Sequence, residues 1–133
     1  HPKYMYLSGA FLFIDKAKFD AIGKFDENIF LYCEEPDISK RLMAAGYTTM
    51  FDPGIPYNHL IDGRTHLSGN GFKVLMESNR YYFTKFKLNF RRFIQQKVWS
   101  YRMLIFVYRL LNKKEKADAA KKNMQQHSEW LRS

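Results

Sequence analysis

The stretch 30–42 reads Phe30-Leu31-Tyr32-Cys33-Glu34-Glu35-Pro36-Asp37-Ile38-Ser39-Lys40-Arg41-Leu42. It sets three carboxylates between an aromatic run and an amphipathic segment. Pro36 suits the first position of a helix, which predicts Glu35 as the N-cap and Asp37 in the first turn. Like charges at short range disfavour each other's ionised form, so these carboxylates are expected to face water, a cation or a substrate.

Exposed acids in a first helical turn also have a simpler use, because they complement the helix dipole. A general base, a cation site and a dipole partner therefore all remain open on the residues alone. The neighbouring Cys33 is the single cysteine of the chain, which excludes an internal disulfide and a cysteine-based zinc site. It is more typical of a half-buried filler than of a nucleophile, since no His lies next to it in sequence.

The chain is large enough for one domain with a real core. It has 133 residues, of which 46% are hydrophobic and 17% aromatic. It begins His1-Pro2 without an initiator Met or a leader, so we expect a piece of a longer protein.

The net charge of +9 is unevenly spread. Residues 1–71 carry 7 basic and 9 acidic side chains, and residues 72–133 carry 15 and 4. The C-terminal segment therefore has a net charge of +11. A basic, aromatic-rich segment favours an anionic partner, either a lipid surface or a nucleic acid.

Strand and helix signals alternate through the first half. The apolar run from Tyr6 to Ile14 predicts a covered strand, in which Gly9 marks either a kink or the floor of a pocket formed by Ser8-Gly9-Ala10. Asp15 is expected to cap a short helix that ends at Gly23. The acidic helix should end at Gly46, with strands predicted over 47–51 and 55–60.

The second half is expected to be helical. Residues 60–71 hold three glycines among polar residues, the composition of a loop. Apolar residues then recur at steps of three and four, which predicts helices over 72–87 and 90–111 and a terminal helix within 113–133. The second of these helices has a surplus of apolar side chains on its back face, yet its arginines make it too charged to span a bilayer.

Several ordered motifs resemble the second half of family 2 nucleotide-sugar glycosyltransferases, bacterial rhamnosyltransferase-like members above all. The resemblance covers roughly residues 5–70, and a run of ordered motifs is more specific than any single one. The motifs are Ser8-Gly9-Ala10, Phe19, Ile22-Gly23-Lys24-Phe25-Asp26-Glu27, Tyr32-Cys33-Glu34-Glu35-Pro36-Asp37-Ile38, Arg41-Leu42, Ala45-Gly46-Tyr47, Asp52-Pro53 and His59.

The resemblance implies an α/β fold, with residues 1–71 as the acceptor-side half of a GT-A (Rossmann-like) domain and 72–133 as a basic helical extension. It implies that Glu35, which stands where the family has Asp, is the base that deprotonates the acceptor hydroxyl. Glu34 is the reserve base, and Asp37 matches the family's second Asp. The remaining site residues are Ser8, Gly9, Ala10, Arg64 and His66 for substrate, and His59 near the diphosphate or the metal.

The implied reaction is inverting transfer of a sugar, hexosyl or rhamnosyl, from a nucleotide diphosphate sugar to a glycan or lipid-linked acceptor in cell-surface polysaccharide synthesis. A divalent cation, Mg²⁺ or Mn²⁺, is expected in the complete enzyme, with its main ligands outside this chain, so the fragment alone should be inactive. We expect a cytoplasmic protein, peripheral at the inner face of the cell membrane, with an anionic membrane surface as partner and no nucleic acid.

Two other interpretations stay open. The basic segment could belong to a non-catalytic module that binds nucleic acid or a membrane surface, although it carries no recognised nucleic-acid signature. The chain could also be a catalytically inactive family member, since Glu35 places its carboxylate one methylene further out than Asp does.

Overall fold

A computed structural model of the chain describes residues 9–58 and 69–132. Their regular secondary structure consists of α1 (Lys16–Ala21), α2 (Glu34–Ala44), α3 (Asn70–Lys85), α4 (Phe90–Leu110) and α5 (Lys114–Glu129). The chain divides into two compact units between Lys85 and Phe86. Helices α1 to α3 belong to the first unit, and α4 and α5 form the second. The predicted domain boundary after Gly71 stays a prediction.

The ends of α1 follow the prediction. The Asp15 carboxylate accepts a hydrogen bond of 3.1 Å from the Lys18 backbone N–H, which is the N-cap arrangement. After the helix, Gly23 takes a φ of +84°, a left-handed conformation that costs glycine little. The predicted cap and stop of this helix are both confirmed.

The start of α2 differs from the prediction. The N-cap is Cys33, with a left-handed φ of +71° and no side-chain capping bond, so the assignment of this position to Glu35 is wrong. Pro36 is therefore the third residue of the helix and not the first. Proline is tolerated there because the first four N–H groups of a helix have no intrahelical partner, so none is lost. The predicted stop is confirmed, since Gly46 follows the helix with a φ of +82°.

The predicted α/β fold is wrong for this structure, because the described ranges contain helices and no strand. Residues 10–14 and 47–51 lack regular secondary structure, as do those of 55–60 that are described. Leu12 to Ile14 and Tyr47 to Met50 line one cavity of about 140 Å³ beside α2, yet no backbone ladder joins them. An apolar run becomes a strand only where a neighbour pairs with its backbone.

The predicted helix over 72–87 is present as α3, and the buried apolar side chains of the first unit come mainly from α2 and α3. Ile38 and Met76 are each 1% exposed. Ser78 of α3 donates a hydrogen bond of 2.6 Å to the Leu31 carbonyl, just before α2. Helix α3 is thus tied to the segment that leads into the acidic helix start.

In the second unit, α4 and α5 pack against each other. Both match predicted helices, over 90–111 and within 113–133. The buried apolar side chains of this unit in the described residues are Ile94, Val98, Ala117 and Ala120. None of the helices in the described ranges is long and apolar enough to cross a membrane.

Candidate active site

A cavity of about 470 Å³ opens where α1, the start of α2 and the residues before α1 come together. Its volume falls within the range of small-molecule sites. Phe19 and Phe25 contribute an edge-to-face aromatic pair, with ring centroids 5.2 Å apart. The described residues of its lining are Gly9, Leu12, Ile14, Lys16, Phe19, Phe25, Glu34 and Glu35.

Gly9 and Glu35 are brought into direct contact across 26 residues of sequence. The Gly9 backbone N–H donates a hydrogen bond of 2.9 Å to Glu35 Oε1. A Cβ atom at position 9 would lie 2.6 Å from that oxygen, which is too close for any L-amino acid side chain without a shift. The glycine therefore serves a close approach and not a kink, and it holds the Glu35 carboxylate at the cavity wall.

Glu34 has a buried carboxylate oxygen that lacks a partner. Its Oε2 is buried and accepts no hydrogen bond from the part of the protein that the structure describes. Buried polar atoms are almost always hydrogen-bonded in folded proteins, so this oxygen is an unused hydrogen-bond acceptor. The residue Glu34 lines the same cavity as Glu35.

The carboxylates make the local potential negative, which affects the pKa of the Cys33 thiol. Burial raises the pKa of the Cys33 thiol to about 11, and the charges of Glu34, Glu35 and Asp37 add to the rise. A thiol with such a pKa is a poor nucleophile at neutral pH. The geometry thus favours Cys33 as a half-buried filler.

Asp37 points away from solvent and carries a different set of contacts. Its side chain is 1% exposed and does not line the cavity. Arg41 donates to its Oδ2 from Nε at 2.8 Å, and the same oxygen lies 2.7 Å from a terminal guanidinium nitrogen. Lys85 Nζ lies 2.5 Å from its Oδ1. A carboxylate enclosed by two cations is held in place and is not free to receive a substrate proton.

Asp26 completes this ionic cluster. Lys85 Nζ lies 2.7 Å from Asp26 Oδ2, and the Tyr81 hydroxyl donates to the same oxygen at 2.9 Å. The hydrogen bond from Lys85 keeps the pKa of Asp26 well below its usual range despite partial burial. Burial alone would lower the pKa of Lys85, but its hydrogen bonds to Asp26 and Asp37 outweigh that effect and raise it.

The chain is similar in part to a rhamnosyltransferase. The N-acetylglucosaminyl-diphospho-decaprenol L-rhamnosyltransferases of Mycobacterium tuberculosis strains CDC 1551 / Oshkosh and ATCC 25618 / H37Rv are each 31% identical to it over 64 residues. These residues are 48% of this chain and 20% of the relatives, so the chain spans about a fifth of their length. No family model and no solved structure matches it. The predicted resemblance to rhamnosyltransferases is supported in part, over these 64 residues.

Most of the other predicted site residues lie outside the described part of the chain. Ser8, His59, Arg64 and His66 lie outside the described residues, and their roles stay predictions. Ala10 is exposed and is absent from the described lining of the cavity. Within 9–58 and 69–132, no group of three or more His, Cys, Asp or Glu side chains could hold a metal ion. The described residues therefore form no site for a divalent cation, and the expected cation, with its main ligands outside this chain, stays a prediction.

Sequence reasoning missed Lys85 and the aromatic pair of the cavity. Phe19 and Phe25 belong to the motifs of the resemblance, but nothing in their spacing marks them as a pocket wall. Lys85 lies 48 residues from Asp37, although a signal was present. Ser78, Tyr81 and Lys85 recur at helical steps, which places a polar stripe on an amphipathic helix.

Proposed function

We propose that this chain forms the acceptor-binding part of a glycosyltransferase that moves a sugar from a nucleotide diphosphate sugar to a hydroxyl of a lipid-linked glycan. The observation that carries the proposal is the cavity walled by adjacent carboxylates, one oriented by a backbone N–H and one with a buried, unpaired oxygen. The partial similarity to rhamnosyltransferases that act on a diphospho-decaprenol acceptor supports the substrate class.

Glu35 is assigned as the general base. Because Gly9 holds one of its oxygens, the direction of the carboxylate is fixed before substrate arrives, as an efficient base requires. Glu34 is assigned to acceptor binding, since its side chain lines the cavity and a carboxylate can accept a hydrogen bond from a sugar hydroxyl. The faces of Phe19 and Phe25 offer an apolar surface for the C–H groups of a pyranose ring.

The proposed reaction is one displacement. The acceptor oxygen forms a bond to the anomeric carbon of the donor as the bond from that carbon to the nucleotide diphosphate breaks. The bonding electron pair leaves on the diphosphate oxygen, and the hydroxyl proton passes to the Glu35 carboxylate. A single displacement inverts the configuration of the anomeric carbon.

The test compares Glu35→Gln and Glu34→Gln in the complete protein, with sugar transfer to a diphospho-polyprenol acceptor measured by product formation. Loss of a general base lowers turnover by about 100- to 10,000-fold, so Glu35→Gln should lower kcat on that scale while acceptor KM changes little. Glu34→Gln should instead raise acceptor KM, because the amide presents one acceptor oxygen in place of two.

Glu27→Gln is the matched control, since Glu27 is an exposed carboxylate of the same unit outside the cavity. It should transfer sugar like the wild type. Full turnover by Glu35→Gln would refute the assignment of the base. Lack of any transfer by wild-type protein supplied with donor, acceptor, Mg²⁺ and Mn²⁺ would refute the proposed function.

A second proposal concerns the outward face of α4, which carries an apolar stripe. Trp99, Met103, Phe106 and Leu110 follow one another at steps of four, three and four, so they share one side of the helix. Trp99 is 63% exposed, Phe106 57% and Leu110 68%. We assign this stripe to the surface of an anionic bilayer, with the protein at the cytoplasmic face of the membrane.

Charge on α4 supports a lipid partner. The helix carries Arg91, Arg92, Lys97, Arg102 and Arg109 and no acidic residue. An open groove of about 560 Å³ runs beside Trp99, with Arg92, Arg102 and two glutamines among its lining residues. Exposed apolar groups flanked by cations are typical of helices that lie in a membrane interface, where the cations meet lipid phosphates.

Sedimentation with vesicles tests the membrane proposal. Wild-type protein should bind vesicles of phosphatidylglycerol and phosphatidylcholine, and less so as salt rises. The variant Trp99→Ser/Phe106→Ser should lose most of this binding, while the control Phe30→Ser, which removes an aromatic 87% exposed in the first unit, should retain it. Equal binding to neutral vesicles would contradict the electrostatic part of the proposal.

A further inference from the structure

We infer that Lys85 is a positioning residue, which fixes the position of the Phe25 segment relative to the start of α2 at the candidate active site. The inference rests on the proposed function and extends it to a side chain outside the cavity. Lys85 reaches Asp26 on one side and Asp37 on the other, at 2.7 and 2.5 Å from its Nζ. One ammonium group, which lies 59 and 48 residues away in sequence, thus joins the segment after α1 to the first turn of α2.

Each of the two joined segments supplies a wall of the cavity. Asp26 directly follows Phe25, which lines the cavity as a member of the aromatic pair. Asp37 lies in the first turn of α2 with Glu34 and Glu35, whose side chains also line the cavity. A rigid helical turn transmits any displacement of Asp37 to these two side chains. The contacts of Lys85 therefore fix where the aromatic wall stands relative to the base.

The cluster is closed and balanced in charge. Two carboxylates, Asp26 and Asp37, face two cations, Lys85 and Arg41. Arg41 also donates at 2.6 Å to the Ile22 carbonyl, which ties α2 to the end of α1 from the other side. Asp26 is held further by the Tyr81 hydroxyl and by the backbone N–H of Asn28. Lys85 is the member that connects the Asp26 loop to α2, and it comes from a third element, α3.

A merely structural role would make Lys85 variants less stable without changing the catalytic step in folded protein. A positioning role makes a different demand, because small displacements of a base cost turnover steeply. A shift on the scale of 1 Å is worth about 100-fold in rate. The distinguishing quantity is therefore kcat of folded protein, measured beside KM for the donor.

The experiment uses the complete protein with Lys85→Met, which keeps the length of the side chain and removes its charge and donors. Lys73→Met is the matched control, because Lys73 lies on the same helix and is 67% exposed. We expect Lys85→Met to lower kcat at least tenfold with donor KM changed less than about twofold. Amide hydrogen exchange in residues 22–29 and 33–38 should become faster in Lys85→Met and stay unchanged in Lys73→Met.

A double variant tests whether Asp26 and Lys85 act as one unit. Asp26→Asn should lower kcat, and Asp26→Asn/Lys85→Met should be no slower than Lys85→Met by more than about twofold. The inference would be overturned if the kcat loss of the double variant equalled the product of the losses of the two single variants. It would also be overturned if kcat of Lys85→Met stayed within about twofold of the wild type. If Lys85→Met does not fold, Lys85→Gln, which keeps a donor without charge, is held to the same criteria.

Different measurements refute the proposed function and the positioning role of Lys85. Absence of sugar transfer by the wild type refutes the proposed function, and the exchange measurement then decides the coupling on its own. Faster exchange at both segments in Lys85→Met supports the linkage between them. Unchanged exchange at either segment overturns it.

Discussion

At the scale of single residues, three neighbouring carboxylates have three different environments. Glu35 accepts a backbone hydrogen bond, Glu34 has a buried unpaired oxygen, and Asp37 is enclosed by two cations. Helix geometry separates Glu35 from Asp37, because residues two apart lie roughly 200° apart around an α-helix. Identical side-chain chemistry in the sequence thus yields two cavity groups and one structural anchor.

The contact between Gly9 and Glu35 gives a residue-scale prediction. In Gly9→Ala the new Cβ would displace the end of the Glu35 side chain, which is flexible, so the melting temperature should change little while kcat falls about 100-fold. Product formation and thermal unfolding of the complete protein measure the two effects. Gly54→Ala is the control, since its Cβ would meet only Asp52 Oδ1 at 3.1 Å. Unaltered kcat in Gly9→Ala would show that the Glu35 geometry is not critical.

The site predicted from the sequence overlaps in part with the cavity, and the rest differs for a physical reason. Gly9, Glu34 and Glu35 were predicted as site residues, and the structure brings all three to one cavity. Asp37 was grouped with them because adjacency in sequence cannot tell which side of the helix start is covered. The role of Lys85 depends on how α3 packs, and no local pattern encodes a contact made over 48 residues.

At the scale of elements, the helices were more predictable than the extended segments. Helices α1, α3, α4 and α5 follow from caps and from apolar spacing, which are local properties. The three predicted strands depended on partners that pair with their backbones, and such partners are not a local property. The capping error at α2 arose because Pro36 fits any position in the first turn, so it does not fix the start to one residue.

The hairpin of α4 and α5 gives an element-scale prediction on pH. His127 of α5 is 8% exposed, and its Nδ1 lies 2.8 Å from the Asn123 carbonyl oxygen. Burial lowers the pKa of His127, and the nearby Lys97 contributes. The native state therefore binds this proton less readily than the unfolded state, whose His has a pKa of about 6.5. Stability of the hairpin should fall as pH drops below about 6.5.

Denaturant titrations between pH 7.5 and 5 measure this dependence. The fluorescence of Trp99 and Trp130 reports the unit that contains His127. In His127→Phe the aromatic ring can still pack beside Tyr101, whose ring centroid lies 5.2 Å away in the wild type, but it cannot titrate. The variant should lose the decline in stability over this range, and an identical decline in both proteins would exclude His127 as its source.

At the scale of the whole chain, the division into two units predicts that unfolding is not a single transition. Both tryptophans lie in the second unit, whereas helical circular dichroism arises from both units. The second unit has fewer buried apolar side chains than the first among the described residues, so it should unfold at lower denaturant. Tryptophan fluorescence of the 133-residue chain should therefore change before the signal at 222 nm is lost. Superimposable curves would show that the two units unfold together.

The raised pKa of the Cys33 thiol has a practical consequence for handling and survival of the protein. At pH 7 only about one molecule in ten thousand carries a thiolate at this position, because the pKa is about 11. Peroxides, maleimides and other electrophiles react with the thiolate form, so they should attack this site slowly. Burial, together with the charges of the neighbouring carboxylates, thus keeps the sulfur beside the proposed base in its unreactive thiol form.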